Sequence, residues 1–390
     1  MRSSTIDKEI KSEREELKRA KRERKNGKKE DKEKYTTGNK VKIVFTHLFR
    51  LGIIGIIAVL VLLYGPYNGF RDWLVTTAMT TMTHQYFATW FYDEDVINSV
   101  LGKNKVVESN ETTDISQIDT DDNKTTEYAN EYERQILERD EKNNDYKIIN
   151  ITGKGYSGYL VAVYDPSRVK TVVTSKLGVT GQYVTTMARN NDALIAINGG
   201  GFNDPNYNST GGSPLGITVV NGKYVTTDSY KGPGGIIGFT EDDKFVLGKM
   251  TITEAKKMKI RDAVTFGPFL IVNGKSSEVL GNGGWGTAPR TAIGQRKDGI
   301  VLFLVLDGRT ATKPGADMDD LIEVMERYGA YNAANLDGGT SSVLVVGDTI
   351  VNDPIDSSGA HKTRPISTAF IVAKDESDDS DHSVVANKLK

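Results

Sequence analysis

The stretch NLDGGTSS, residues 335–342, sets the organisation of this chain. An acid, two glycines and three hydroxyls make poor core material, yet apolar runs flank them at 333–336 and 343–346. A loop of this kind brings backbone and short polar side chains close to a polar ligand. Upstream, 317–328 reads as a helix: Asp317 can cap it, Asp320 stands in the first turn, and Gly329 ends it. Met318, Leu321, Ile322, Met325 and Tyr328 fall on one apolar face. The loop therefore follows a helix and a short buried strand, a frequent position for ligand sites in mixed sheets.

Outward from this block, short apolar or alternating runs read as strands at 159–164, 169–174, 193–197, 216–220, 236–239, 245–247, 269–272, 300–306, 343–346 and 368–372. Asn221-Gly222, Asn273-Gly274 and Gly347-Asp348 sit between apolar flanks as two-residue hairpin turns require. A second, weaker helix signal covers 181–190. The expected fold is α+β: a sheet-rich, largely antiparallel mixed domain with few helices over 146–374, preceded by one transmembrane helix. An acidic, disordered tail is expected at 375–390.

Toward the N-terminus, residues 1–42 hold 16 Lys or Arg against 9 Asp or Glu, a local charge of +7 hidden inside a net charge of -2. The apolar segment 43–70 follows, uncharged from 51 to 64, and a bilayer needs about 20 such residues. Arg50 interrupts it at a place where its side chain can snorkel to the headgroups. The arm is too long for the n-region of a cleaved signal peptide, and no small-x-small cleavage site follows the apolar run. We expect a retained signal anchor, single-pass in the cell membrane, with a cytoplasmic N-terminus and an extracellular domain. The basic arm serves topology and is no nucleic-acid signature. Residues 71–145 read as a juxtamembrane helix and a polar spacer, because 103–145 has few aliphatic side chains to offset the entropy of ordering. Cysteine is absent, so disulfides stabilise nothing here.

Four polar clusters follow or interrupt apolar runs: NGGGFND at 198–204, PRTAIG at 289–294, DGR at 307–309 and the opening loop. Each alone can be an ordinary turn. Together they offer carboxylates (Asp204, Asp307, Asp337), guanidinium groups (Arg290, Arg309 and, further on, Arg364), glycine backbone and hydroxyls, a set suited to an anionic ligand. Carboxylates among arginines repel a phosphate and need another task. They can do acid, base or nucleophilic work at a sugar carbon, or hold a divalent cation.

These motifs, in this order and spacing, resemble the phosphodiester glycosidase family over residues 150–373, with GADMDDLIEVMERYGAYNAANLDGGTSS at 315–342 and RPIST at 364–368 adding to the match. Bacterial relatives in that family carry exopolysaccharide biosynthesis labels. Two positions depart from the family pattern: Gly-Gly-Gly-Phe stands at 199–202 for Gly-Gly-Phe-Phe, and Thr340 replaces a third glycine. The resemblance implies hydrolysis between an anomeric carbon and a phosphodiester oxygen, in a phosphate-containing glycan of polysaccharide or teichoic-acid type. No cofactor is expected to be required. On this reading Asp337 is the carboxylate at the anomeric centre and Asp307 the second acid. Arg290 and Arg309 hold phosphate, and Asn198, Gly199 and Gly200 shape the sugar pocket. Gly338, Gly339, Thr340, Ser341, Ser342, Asp204 and Arg364 contact substrate. His361 is the sole histidine of the domain and nothing in the sequence places it beside Ser341 or Ser342, which argues against a serine triad. A glycan-binding or exopolysaccharide-assembly protein without catalysis is the alternative, for which Trp285 offers a stacking surface.

Overall fold

Along 156–163 the side chains alternate between two apolar environments. Val161 and Val163 enter one core cluster, Leu160 and Ala162 the other, and all four are fully buried. A strand buried on both faces needs a layer on each side. The computed structural model describes residues 3–33, 37–80, 84–121, 127–139, 143–203, 210–375, 386 and 389. It places Tyr156–Val163 in a seven-stranded sheet whose spatial order is Lys275–Ser276, Phe269–Val272, Ala330–Asn335, Arg290–Arg296, Val301–Asp307, Tyr156–Val163 and Tyr146–Gly153. A five-stranded sheet runs Lys223–Thr227, Ile217–Val220, Ile260–Phe266, Gly235–Thr240, Phe245–Gly248. Another runs Thr349–Ile350, Leu344–Val346, Ala193–Asn198, Thr368–Ala373, Val169–Val173. Every pairing in these three sheets is antiparallel. The α+β, largely antiparallel reading is what the chain adopts.

The core lies where the three sheets face one another: Phe303 and Val305, Ile195 and Ile197, Phe239 and Leu247 share one buried cluster. On the far face of the large sheet the helix Met318–Arg327 buries Met318, Leu321, Val324 and Met325 against Leu302, Leu304 and Leu306. Each such side chain contributes about 1.5–3 kcal/mol by leaving water. The start of that helix is closed reciprocally, with the Asp317 side chain accepting from Asp320 N and the Asp320 side chain accepting from Asp317 N, both at 3.0 Å. The hairpin turns carry the expected left-handed pairs: φ is 47° and 72° at Asn221 and Gly222, and 55° and 73° at Asn273 and Gly274.

Contacts divide the chain into Met1–Arg71 and Asp72–Lys390. In the first unit Ser3–Glu33 and Thr37–Tyr64 are helical, and Lys40–Tyr64, 25 residues, is long and apolar enough to cross a membrane. That helix stops before Pro66, short of the expected end at 70, because proline disfavours helical geometry in the residue before it.

The second unit begins well before the expected 146. Its stretch 103–139, expected as a spacer, lies along the sheets wherever it is described. Lys105–Val107 pairs antiparallel with Glu278–Leu280. Asp119 N donates to Lys297 O at 2.7 Å, and Tyr164 Oη donates to the carbonyl of fully buried Ile136 at 2.8 Å. Backbone bonds and a few apolar anchors, rather than a continuous apolar face, hold this belt. Replacing one anchor, Ile136→Asp, is expected to free the belt without melting the sheets. Limited proteolysis checks this, with new cleavage confined to 127–139 and the sheet core resistant. Of the expected tail, 376–385, 387, 388 and 390 lie outside the described residues.

Candidate active site

Asn198 ends a central strand, fully buried, and its amide joins three separate pieces of chain. Its Nδ2 donates to the Asp337 carbonyl at 2.5 Å, while Oδ1 accepts from Thr291 Oγ1 at 2.7 Å and Val343 N at 3.2 Å. The opening loop is thereby fixed at both ends. The glycines after Asn198 are demanded by crowding, since a Cβ would sit 2.6 Å from Thr368 Oγ1 at Gly199, 2.8 Å from Thr265 O at Gly200 and 2.7 Å from the Phe266 ring at Gly201. Gly199 and Gly200 donate their N–H groups to Thr368 O and Thr368 Oγ1, and Gly199 O accepts from Asp337 N at 3.2 Å.

The Asp337 carboxylate is held on both oxygens. Oδ1 accepts from Gly338 N at 3.0 Å and Oδ2 pairs with Arg364 Nη2 at 3.1 Å. Arg364 also donates through Nε to Ser341 Oγ at 2.7 Å, and its guanidinium lies 4.6 Å from the Phe202 ring centroid. Arg309 approaches from another strand end: its Nη1 donates to Thr340 Oγ1 at 2.8 Å and to Ile355 O at 2.9 Å. Gly339, at φ 62°, leaves room for it, because a Cβ there would meet Arg309 Nη2 at 2.8 Å. Burial pushes the Arg309 pKa down, the Arg364 charge pushes it further, and Asp356 and Asp337 oppose both. Two guanidinium groups thus face one carboxylate, since Asp356 is paired with Lys362 at 2.9 Å. The surplus positive charge suits an anion.

Asp307 and Arg290 have other surroundings. Asp307, on the last residue of its strand, accepts from Asn352 Nδ2 at 2.8 Å and from Asp353 N at 3.1 Å. Burial raises its pKa, and those hydrogen bonds counter part of the rise. Asn352 in turn donates to Ser342 O at 3.2 Å, so Asp307 braces the back of the loop. Arg290 is buried within strand Arg290–Arg296, with Nε donating to Ala316 O at 3.1 Å and Nη2 to Trp285 O and Gly286 O, each at 2.6 Å. Its Nη1 would lie 3.7 Å from a Cβ at Gly338. Burial pushes its pKa down to about 10, Arg309 adding to the fall and Asp317 opposing it, so it stays charged at neutral pH.

Ser341 and Ser342 are both buried, with Ser341 bound to Arg364. Trp285 packs edge-on against Phe266, ring centroids 6.1 Å apart. His361 Nδ1 lies 2.6 Å from Asp353 Oδ1. Asp204 lies outside the described residues. Among the described residues, no three His, Cys, Asp or Glu side chains cluster to hold a metal ion. The structure adds Phe202, Thr291, Thr368 and Asn352, which the sequence reading did not single out. Phe202, Thr291 and Thr368 lie inside the quoted motifs NGGGFND, PRTAIG and RPIST, a signal that could have found them, whereas Asn352 carried none.

Residues 191–373 match the family described as phosphodiester glycosidase, the one that the motifs resemble. The chain is 26% identical over 203 residues to the SPbeta prophage-derived uncharacterized protein YomE of Bacillus subtilis (strain 168), covering 50% of this chain and 30% of that protein. It is 25% identical over 239 residues to N-acetylglucosamine-1-phosphodiester alpha-N-acetylglucosaminidase of Mus musculus, covering 54% of this chain and 43% of that one. The chain therefore spans less than half the length of either relative. Among solved structures, the pro-peptide-inhibited catalytic domain of the zebrafish N-acetylglucosamine-1-phosphodiester alpha-N-acetylglucosaminidase shares the fold, at TM-score 0.50 and 23% identity over 59% of this chain and 82% of that one.

Proposed function

We propose that this protein is a phosphodiester glycosidase that hydrolyses a sugar-1-phosphodiester bond in a cell-envelope polysaccharide or teichoic-acid-like polymer, on the outer side of a membrane spanned by its apolar helix. The observation that carries the reading is the pairing of Asp337 with Arg364, with Arg309 brought beside them through Thr340. The family match at 191–373 supports the same chemistry.

In the reaction the bond between the anomeric carbon and the phosphodiester oxygen breaks, the phosphate side leaves with the electron pair, and water supplies the new oxygen on the sugar. A phosphate leaving group needs little protonation, so positive charge at its oxygens supplies much of the rate enhancement. Arg309 and Arg364 take that role. Asp337 stabilises or attacks the carbon as positive charge develops there. Asp307 acts through the 352–353 turn as a positioning residue, and Arg290 backs Gly338.

Full-length protein in detergent, given an alkyl sugar-1-phosphodiester with and without chelator, is expected to release free sugar and alkyl phosphate equally in both, as read by mass spectrometry. A sugar phosphate released only without chelator would replace this reading with a metal-dependent phosphodiesterase. Binding without any product would favour the glycan-binding alternative.

A further inference from the structure

We infer that the uncharged stretch 73–92 seats an aromatic patch of Tyr86, Phe87 and Trp90 in the headgroup layer of the membrane that the apolar helix crosses. The inference rests on the proposed membrane span and not on the proposed reaction.

Twenty consecutive residues, Trp73 to Tyr92, hold no Lys, Arg, Asp or Glu, in a chain that is 26% charged. A water-facing segment of that length should hold about five, so the outer side of this one is composed for another medium. Burial sorts its side chains. Val75, Thr76 and Ala78 of helix Asn68–Thr80, and Ala88 and Tyr92 beyond it, are buried. Trp73, Tyr86, Phe87 and Trp90 are exposed, Trp90 by 71%. The Tyr86 ring centroid lies 4.4 Å from that of Phe87 and 4.8 Å from that of Trp90, so these three make one cluster. Among the described residues of the same unit, the other exposed large hydrophobics, Val107, Tyr132, Val179 and Tyr183, are spread along 107–183.

Composition and connectivity together select the bilayer as the occupant. Trp and Tyr settle where hydrocarbon meets water, the ring at the acyl boundary and the polar edge toward the headgroups. Trp73 stands nine residues after Tyr64, the end of the apolar helix, and a tether that short keeps this part of the chain at the membrane surface. Acids resume directly afterwards at Asp93, Glu94 and Asp95, all exposed, where the chain returns to water.

The same segment reaches the candidate active site. Thr76 Oγ1 accepts from Asn282 Nδ2 at 2.8 Å, Thr80 Oγ1 donates to Trp285 O at 3.3 Å, and a Cβ at Gly286 would lie 2.5 Å from Thr77 Oγ1. Trp285 O and Gly286 O are carbonyls that hold Arg290. Seating on the membrane therefore steadies the loop behind Arg290.

The chain has three tryptophans, Trp73, Trp90 and Trp285, which makes fluorescence quenching in nanodiscs selective. Full-length Trp73→Phe/Trp285→Phe, which keeps Trp90 alone, is expected to lose about half its emission when the lipid is brominated next to the headgroup, and much less when it is brominated at the chain end. Trp73→Phe/Trp90→Phe, which keeps Trp285 alone, is expected to be quenched far less by either lipid, with wild type between the two. Co-elution with nanodiscs but no greater quenching of Trp90 than of Trp285 overturns the inference and leaves the span standing; cross-linking would then test a second copy of the chain as the partner of the patch. Failure to enter nanodiscs overturns both.

Discussion

Asp337→Asn is expected to lower kcat by about a thousandfold while the chain stays folded. The substitution keeps an oxygen to accept from Gly338 N, and the main-chain links to Asn198 Nδ2 and Gly199 O do not involve the side chain. What it removes is the negative charge facing Arg364 and, on the proposed reaction, the anomeric carbon. Loss should fall on kcat more than on KM, because the charge matters most as the oxocarbenium-like state develops. Steady-state kinetics with circular dichroism as a folding control decide it. Near wild-type turnover in the folded variant would move the reacting carboxylate elsewhere, Asp307 being next to try.

Arg290→Met is expected to lower stability by about 3 kcal/mol, because it removes the charged donor shared by the carbonyls of Ala316, Trp285 and Gly286, leaving Ala316 O to Ala288 N and Trp285 O to Thr80 Oγ1. For a unit of this size that corresponds to a fall in Tm of roughly 5 °C. Arg290→Lys should recover little of it, since an ammonium on a flexible stem cannot reproduce the planar fork that reaches two loops at once. Thermal melts separate this from a purely phosphate-binding role, which predicts lost activity at unchanged Tm.

The contrast between Arg290 and Arg364 shows how far the sequence could be read. The strands that alternate or run apolar, such as 156–163 and 301–307, were legible because their side chains meet only other apolar groups. Strand Arg290–Arg296 was not. It holds Gln295 and Arg296, which look like loop residues, yet Gln295 bonds Phe245 N, Asp243 O and Gly299 O, and Arg296 bonds Asp298 and Tyr328 O. Buried polar side chains satisfied one by one leave no periodic trace. Ala330–Asn335 was shortened to its last residues because it buries Asn332 and Asn335, each bonded through one amide atom only. The belt was missed because backbone bonds attach it, and backbone has no sequence signature. Within the site, the structure brings Asp337, Arg364, Arg309 and the loop glycines of the motifs together, since the strand ends carrying them converge. That Arg290 spends two nitrogens on carbonyls and Asp307 faces the 352–353 turn depends on loop paths that no local pattern encodes.

The central strand Ala193–Asn198 pairs on one side with Leu344–Val346 and on the other with Thr368–Ala373. Both partners are synthesised long after it. During synthesis this apolar strand emerges with two open edges and waits for residues 344–373 before either closes. Asn198 waits with it, its bond to Val343 spanning 145 residues, so the pocket can assemble only after Val343 has been made. Biogenesis therefore calls for protection of the nascent chain, and truncation before 368 should yield an aggregation-prone protein rather than a smaller folded domain.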